Sequence, residues 1–173
     1  MPENSNQYPS LKINQRFLII VMMFMLSCGI IDDNECPEIS FPPENRHQIT
    51  ITQGIWGNVW LWEGNFQPVC PSGKVYAVVR EIYIHEATPL DSVDFLPDSP
   101  FIINIRTPLI KTVKSISSGF YQAALDTGTY SVFVREDTVF YFGSANNSYL
   151  EPGSVAENEI EKVQLDITYN AAY

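Results

Sequence analysis

An antiparallel, all-β sandwich of about seven strands is the fold class this sequence predicts, on three observations. From Gly54 onward, alternating apolar and polar residues recur in short runs between turn residues, the period-two signature of half-buried strands. Aromatic residues make up 13% of the chain and prolines number 12, a composition that suits strands and turns better than helices. Only Asn158–Gln164 hints at a helix, and its continuation alternates like a strand.

The chain opens with a segment of another kind. Phe17 to Leu26 is an unbroken apolar run; as a helix it would span about 15 Å, half of the roughly 30 Å of bilayer hydrocarbon. Lys12 and Arg16 precede it, and the small residues Ser27 and Gly29 follow, which is the layout of a secretory signal. The junction Leu26-Ser27-Cys28-Gly29 resembles a bacterial lipobox, in which the cysteine is diacylated and becomes the new N-terminus. An ordinary cleaved signal and an uncleaved anchor are the competing readings. The expected organisation is a signal peptide over 1–27, a lipidated Cys28 with an acidic, Pro-rich tether over 28–48, and the sandwich over 49–173. Asp32, Asp33, Glu35 and Glu38 in the tether resemble the surface-export signal of Bacteroidetes lipoproteins.

The strands follow in order. "GIWGNVWLWEG" sets Ile55, Gly57, Val59 and Leu61 against Trp56, Asn58, Trp60 and Trp62, and the two sets must point to opposite faces. "REIYIHEAT" is the second run, and a loop rich in Pro and Asp follows over 88–100, then "FIINIR" and "PLIKTVKS". In "GFYQAALDTGTYSVFVRED", Tyr121, Ala123 and Leu125 lead into Asp126-Thr127-Gly128, and Tyr130, Val132 and Val134 return. This reads as a hairpin with a left-handed glycine at its loop. Thr138–Phe142 and "VQLDITY", with Val163, Leu165, Ile167 and Tyr169 in step, complete the set.

Gly54-Ile55-x-Gly57-x-Val59 and Gly119-x-Tyr121-x-x-x-Leu125-x-x-Gly128-x-Tyr130-x-Val132-x-Val134 resemble the carboxypeptidase regulatory-like (transthyretin-like) sandwich. "GNFQP", "REIYIHEAT", "TPLIKTVKS" and "ITYNAAY" resemble a group of Bacteroidetes lipoproteins that carry that domain. The resemblance covers roughly residues 49–173 and implies an accessory module of the cell envelope, held at the outer membrane by its lipid and facing the periplasm or the surface. It implies no catalytic role, and a fold does not fix a function.

Charge narrows the partners. The chain carries a formal charge of −10, and removing Lys12, Arg16 and Glu3 leaves 8 basic against 19 acidic residues. That balance argues against nucleic acid and against a basic lipid-binding patch. Motifs for chemistry are incomplete. "HEATP" places Pro89 where a zinc-protease helix needs its second histidine, and "PSGKV" lacks the glycine and hydroxyl of a phosphate loop. His85 is expected on the exposed face of its strand and His47 stands alone in the tether. Neither cofactor nor metal is expected, and the protein reads as a non-enzyme. With Cys28 acylated, Cys36 and Cys70 remain as a possible disulfide in an oxidising compartment. Ser92 and Thr138 sit in Asp-Ser-Val and Asp-Thr-Val, which resemble the O-glycosylation acceptor of Bacteroidetes; Ser92, in the long loop, is the better candidate.

Trp56, Trp60 and Trp62 are the remaining candidates. If Ile55, Val59 and Leu61 face the core, three indoles lie opposite, with Trp60 and Trp62 about 7 Å apart along the strand. Left open, such a strip would anchor a protein partner or stack against a glycan. Alternatively, a neighbouring segment covers it, either the 88–100 loop or "CPEISFPPEN".

Overall fold

The computed structural model describes residues 36–146 and 148–173. The signal segment 1–27 and Cys28 lie outside the described residues. Twelve strands occur among the rest: β1 (Gly54–Asn65), β2 (Lys74–Ala77), β3 (Glu81–Glu86), β4 (Val93–Phe95), β5 (Ile102–Ile105), β6 (Leu109–Lys114), β7 (Phe120–Ala124), β8 (Gly128–Glu136), β9 (Val139–Tyr141), β10 (Pro152–Val155), β11 (Ile160–Lys162) and β12 (Leu165–Ala172). They form two sheets, of five and seven strands, packed as an all-β sandwich.

β1 organises the smaller sheet because it is long enough to hold two short strands on each edge. β7 and then β2 pair antiparallel along one edge. β11 and then β12 pair parallel along the other. The larger sheet runs β4-β5-β9-β8-β3-β6, with β10 beside the first half of β8. All of its pairings are antiparallel.

The alternation read from the sequence places the core. Ile55 and Val59 of β1, with Tyr121 and Ala123 of β7, and Leu165 and Ile167 of β12, face Ile82 and Ile84 of β3 and Val132 and Val134 of β8. Between β11 and β12 the chain continues along the same edge of β1 and passes close beside Gly57. There the Val163 N–H donates to Trp56 O (2.8 Å) and the buried Tyr121 hydroxyl donates to Val163 O (2.7 Å). A Cβ on Gly57 would stand 1.8 Å from that carbonyl oxygen, so only glycine lets the chain pass this close.

The expected 121–134 hairpin is a correction. β7 pairs with β1, whereas β8 pairs with β3, β9 and β10. Residues 125–127 are thus a corner between sheets. Tyr121 and Ala123 of β7 and Tyr130, Val132 and Val134 of β8 share one core cluster, so the two strands face each other across the core instead of lying side by side. The Tyr130 hydroxyl fastens the corner by donating to Asp126 O (3.0 Å). Gly128 does not have positive φ; among the described glycines Gly54, Gly64 and Gly119 do. The 88–100 loop is also more ordered than expected: a 3-10 turn at Leu90–Ser92 leads into β4. β4 and β5 bring Val93 and Ile102 over the outer face of the larger sheet, where they pack with Phe133 and Leu150 in a second apolar cluster.

Candidate functional site: the aromatic face of β1

The three tryptophans do lie opposite the core, but the strip is not open. The segment preceding β1 lies across it as a third layer. Phe41 sits against Trp60 and Trp62, with ring centroids 6.2 and 5.5 Å apart. Buried Asn45 donates from Nδ2 to Asn58 Oδ1 (2.8 Å) and Ser118 O (3.0 Å). Glu44 pairs with Lys162, and the Thr50 N–H donates to Gln122 Oε1 (2.9 Å). This strap begins at Cys36, which is disulfide-bonded to Cys70 with Cα atoms 4.9 Å apart. The compact unit runs from Cys36 to Tyr173.

Covered in this way, the indoles differ. Trp56 is only 5% exposed, lies beside Phe120 (6.4 Å) and has the Lys162 ammonium 5.8 Å above its ring. Trp60 and Trp62 are half-buried. The Trp62 Nε1–H donates to Asp166 Oδ1 (3.0 Å), which fixes that ring on β12. Three exposed ring faces for a glycan or a partner, one of the two sequence expectations, are therefore corrected. Phe41 meets Trp62 in an edge-on contact, with the two ring planes inclined by 62°. What remains accessible is the margin of the face, where Phe41, Trp62, Phe66 and Tyr173 follow one another with centroids 5.5, 5.1 and 5.8 Å apart. A groove of about 520 Å³ adjoins it, with Pro37, Phe41, Pro42, Pro71 and Val75 among its walls. Its chemistry is non-covalent contact with apolar or ring-shaped surfaces.

The other candidates separate. His85 is 6% exposed, not on an open face; its ring packs edge-on against Phe133, and Nδ1 lies 2.9 Å from Thr107 O. Burial lowers its pKa, which favours the neutral ring donating from Nδ1. His47 is exposed in a 3-10 turn of the strap. Thr138 is exposed in the β8–β9 turn, while Ser92 is half-buried and its Oγ lies 3.3 Å from Asp91 Oδ1. Accessibility thus favours Thr138, the reverse of the sequence preference.

One ionisable group escaped the sequence reading. Glu151 is 5% exposed, and its Oε2 accepts from the Gly143 and Ser144 N–H groups (both 2.6 Å) while Ser144 Oγ lies 3.1 Å from Oε1. Burial pushes its pKa up to about 7, the donors from Ser144 and Gly143 pull the other way, and Asp166 adds to the rise. Among the described residues, Glu151 bonds to backbone and Ser144, and so ties Gly143 and Ser144 to the start of β10. No local sequence pattern marks it, because its partners are backbone groups set by the fold. No protein-family model, curated protein or solved structure matches the chain.

Proposed function

We propose that this chain is a bacterial envelope lipoprotein, acylated at Cys28 after loss of residues 1–27, whose sandwich serves as a non-catalytic binding or structural module. The observation that carries the reading is the Cys36–Cys70 disulfide. Such a bond belongs to an oxidising compartment, and it leaves Cys28, at the end of a short apolar run, as the one cysteine of three without a thiol partner. The acidic residues that follow, and the sandwich itself, fit the resemblance to Bacteroidetes lipoproteins with a carboxypeptidase regulatory-like domain. Outer-membrane anchoring, toward the periplasm or the surface, follows from the same reading.

Mass spectrometry of protein from its native host tests it. The expected mature form begins at an acylated Cys28, and Cys28→Ala moves the protein from the membrane fraction to the soluble one. An intact Met1 or an unmodified Cys28 overturns the proposal. A glycan partner is the second reading, resting on the margin where Phe41, Trp62, Phe66 and Tyr173 follow one another. Soluble glycans titrated against tryptophan emission test it, and no change across a broad panel removes it.

A further inference from the structure

The loop between β1 and β2 spends apolar side chains on solvent. Val69 is 89% exposed, Tyr173, whose ring lies 5.8 Å from that of Phe66, is 68% exposed, and Phe41 is 51% exposed. The loop is nonetheless built rigidly. The Ser72 and Gly73 N–H groups both donate to Asn65 O (2.8 and 2.7 Å), and the Phe66 N–H donates to Ala172 O (2.7 Å). Gly73 lies flat against the Phe66 ring, so close that a Cβ there would meet it at 2.4 Å. Cys70 holds a left-handed conformation, with φ of 66°, at the disulfide.

The tip is also electrically blank. In a chain with a net charge of −10, the stretch "GNFQPVCPSG" (64–73) contains no Asp, Glu, Lys or Arg. Bringing it to a low-dielectric surface therefore desolvates no ionised side chain, the term that ordinarily opposes such contact. Ring side chains that are apolar on their faces and polar at one edge favour the boundary between headgroup and acyl chain.

Chain length points to the surface in question. Cys70 is bonded to Cys36, and only residues 29–35 separate Cys36 from Cys28. Eight residue steps reach at most about 28 Å when fully extended. A lipid on Cys28 would then keep this end of the sandwich next to the bilayer. The opposite end, at the Asp126-Thr127 corner, lies beyond the start of β1, whose Gly54 pairs with Ala124. The 12 residues of β1 put roughly 36 Å between the two ends.

Resting on the acylation reading, we infer that the β1–β2 tip (Phe66, Val69 and Tyr173) is a membrane contact that seats the sandwich on the lipid headgroup boundary. The diacyl group of a lipobox cysteine anchors stably by itself, and an apolar tip beside it adds a second contact that sets how the sandwich sits on the surface. Because Asp32, Asp33 and Glu35 lie in the connecting segment, the fitting surface is zwitterionic rather than anionic.

The test uses full-length protein, processed in its host and reconstituted in phosphatidylcholine–phosphatidylethanolamine vesicles, after mass spectrometry has established the acyl group on that sample. Val69→Trp places an indole at the tip and Thr127→Trp places one at the far corner, with wild-type emission subtracted. Brominated phospholipid is expected to quench the Val69→Trp signal at least two-fold and to leave Thr127→Trp unchanged. Adding 30% phosphatidylserine is expected to weaken the tip signal. Equal quenching at both ends, or none at the tip in acylated protein, overturns the seating while sparing the acylation. An unmodified Cys28 overturns both. A tip that lipid does not quench, but that intact envelopes shield from acrylamide, contacts protein instead and also overturns the assignment.

Discussion

Removing the Cys36–Cys70 bond by the double replacement Cys36→Ser/Cys70→Ser measures how much of the domain's stability rests on pinning the strap. The two cysteines are 34 residues apart, and closing a loop of that size restricts the unfolded chain by about 3.8 kcal/mol at 25 °C in the chain-entropy account. The native side should change little, because Asn45 still bonds to Asn58 and Ser118, and Glu44 still pairs with Lys162. At roughly 3–5 °C per kcal/mol for a domain of this size, the midpoint falls by roughly 11–19 °C. Calorimetry on oxidised protein reads the shift, and tryptophan emission at 25 °C shows that the strap still covers its face. Reductant should lower the wild-type midpoint by the same amount and leave the double variant unmoved. A loss under about 1 kcal/mol, or a red-shifted emission at 25 °C, would refute the reasoning. The first would mean the unfolded chain is already compact there; the second, that the disulfide alone holds the strap.

Two further perturbations follow from the packing. Gly57→Ala drives a Cβ into the Val163 carbonyl, where backbone has to move, and should cost about 3 kcal/mol or more in urea denaturation. Gly128→Ala, whose Cβ would meet nothing nearer than the Tyr130 hydroxyl at 3.4 Å, should change stability by less than about 0.5 kcal/mol. Glu151 has a raised pKa in the folded state, from 4.5 to about 7, so the native protein holds its proton more tightly than the unfolded chain. Stability is then greatest below pH 4.5 and declines as pH rises toward 7, by about 3 kcal/mol from this group. Glu151→Gln keeps both backbone N–H groups satisfied and should flatten that decline between pH 5 and 8, with parallel wild-type and variant curves counting against it.

The strongly periodic segments were legible. β1, β3 and β12 fall largely within the runs that alternation marks, because burying one face of a strand leaves a period of two in the sequence. β2, β4, β10 and β11 have only three or four residues, too few for a period to register. β10 is also masked by Pro152 and Gly153, residues that ordinarily argue against a strand. The β7–β8 connection was misread because a corner and a hairpin use the same turn residues; only the pairing partners distinguish them, and those are non-local. At the candidate site, alternation put the indoles on the outer face, yet what covers that face could not be read from the strand itself. The cover comes from a segment without period or propensity, held by Asn45, Glu44 and Phe41.

The boundary of the folding unit follows from the same cover. Residues 49–173 contain every strand among the described residues and would pass for a complete sandwich. A chain beginning at Ile49, however, lacks Phe41, Glu44 and Asn45, and leaves Cys70 without its partner. Asn58, which is fully buried in the intact unit, would lose the Asn45 amide from its Oδ1, and Trp60 and Trp62 would lose the ring that lies on them. Exposing such a face enlarges a contiguous apolar patch on a strand already central to its sheet. Chains starting at Ile49 should therefore show red-shifted, readily quenched tryptophan emission and self-associate in sedimentation. Chains starting at Cys36 should stay monodisperse with blue-shifted emission. Indistinguishable spectra from the two would mean that the strap lies over the indoles without shielding them, and the aromatic face would return to consideration as an open binding site.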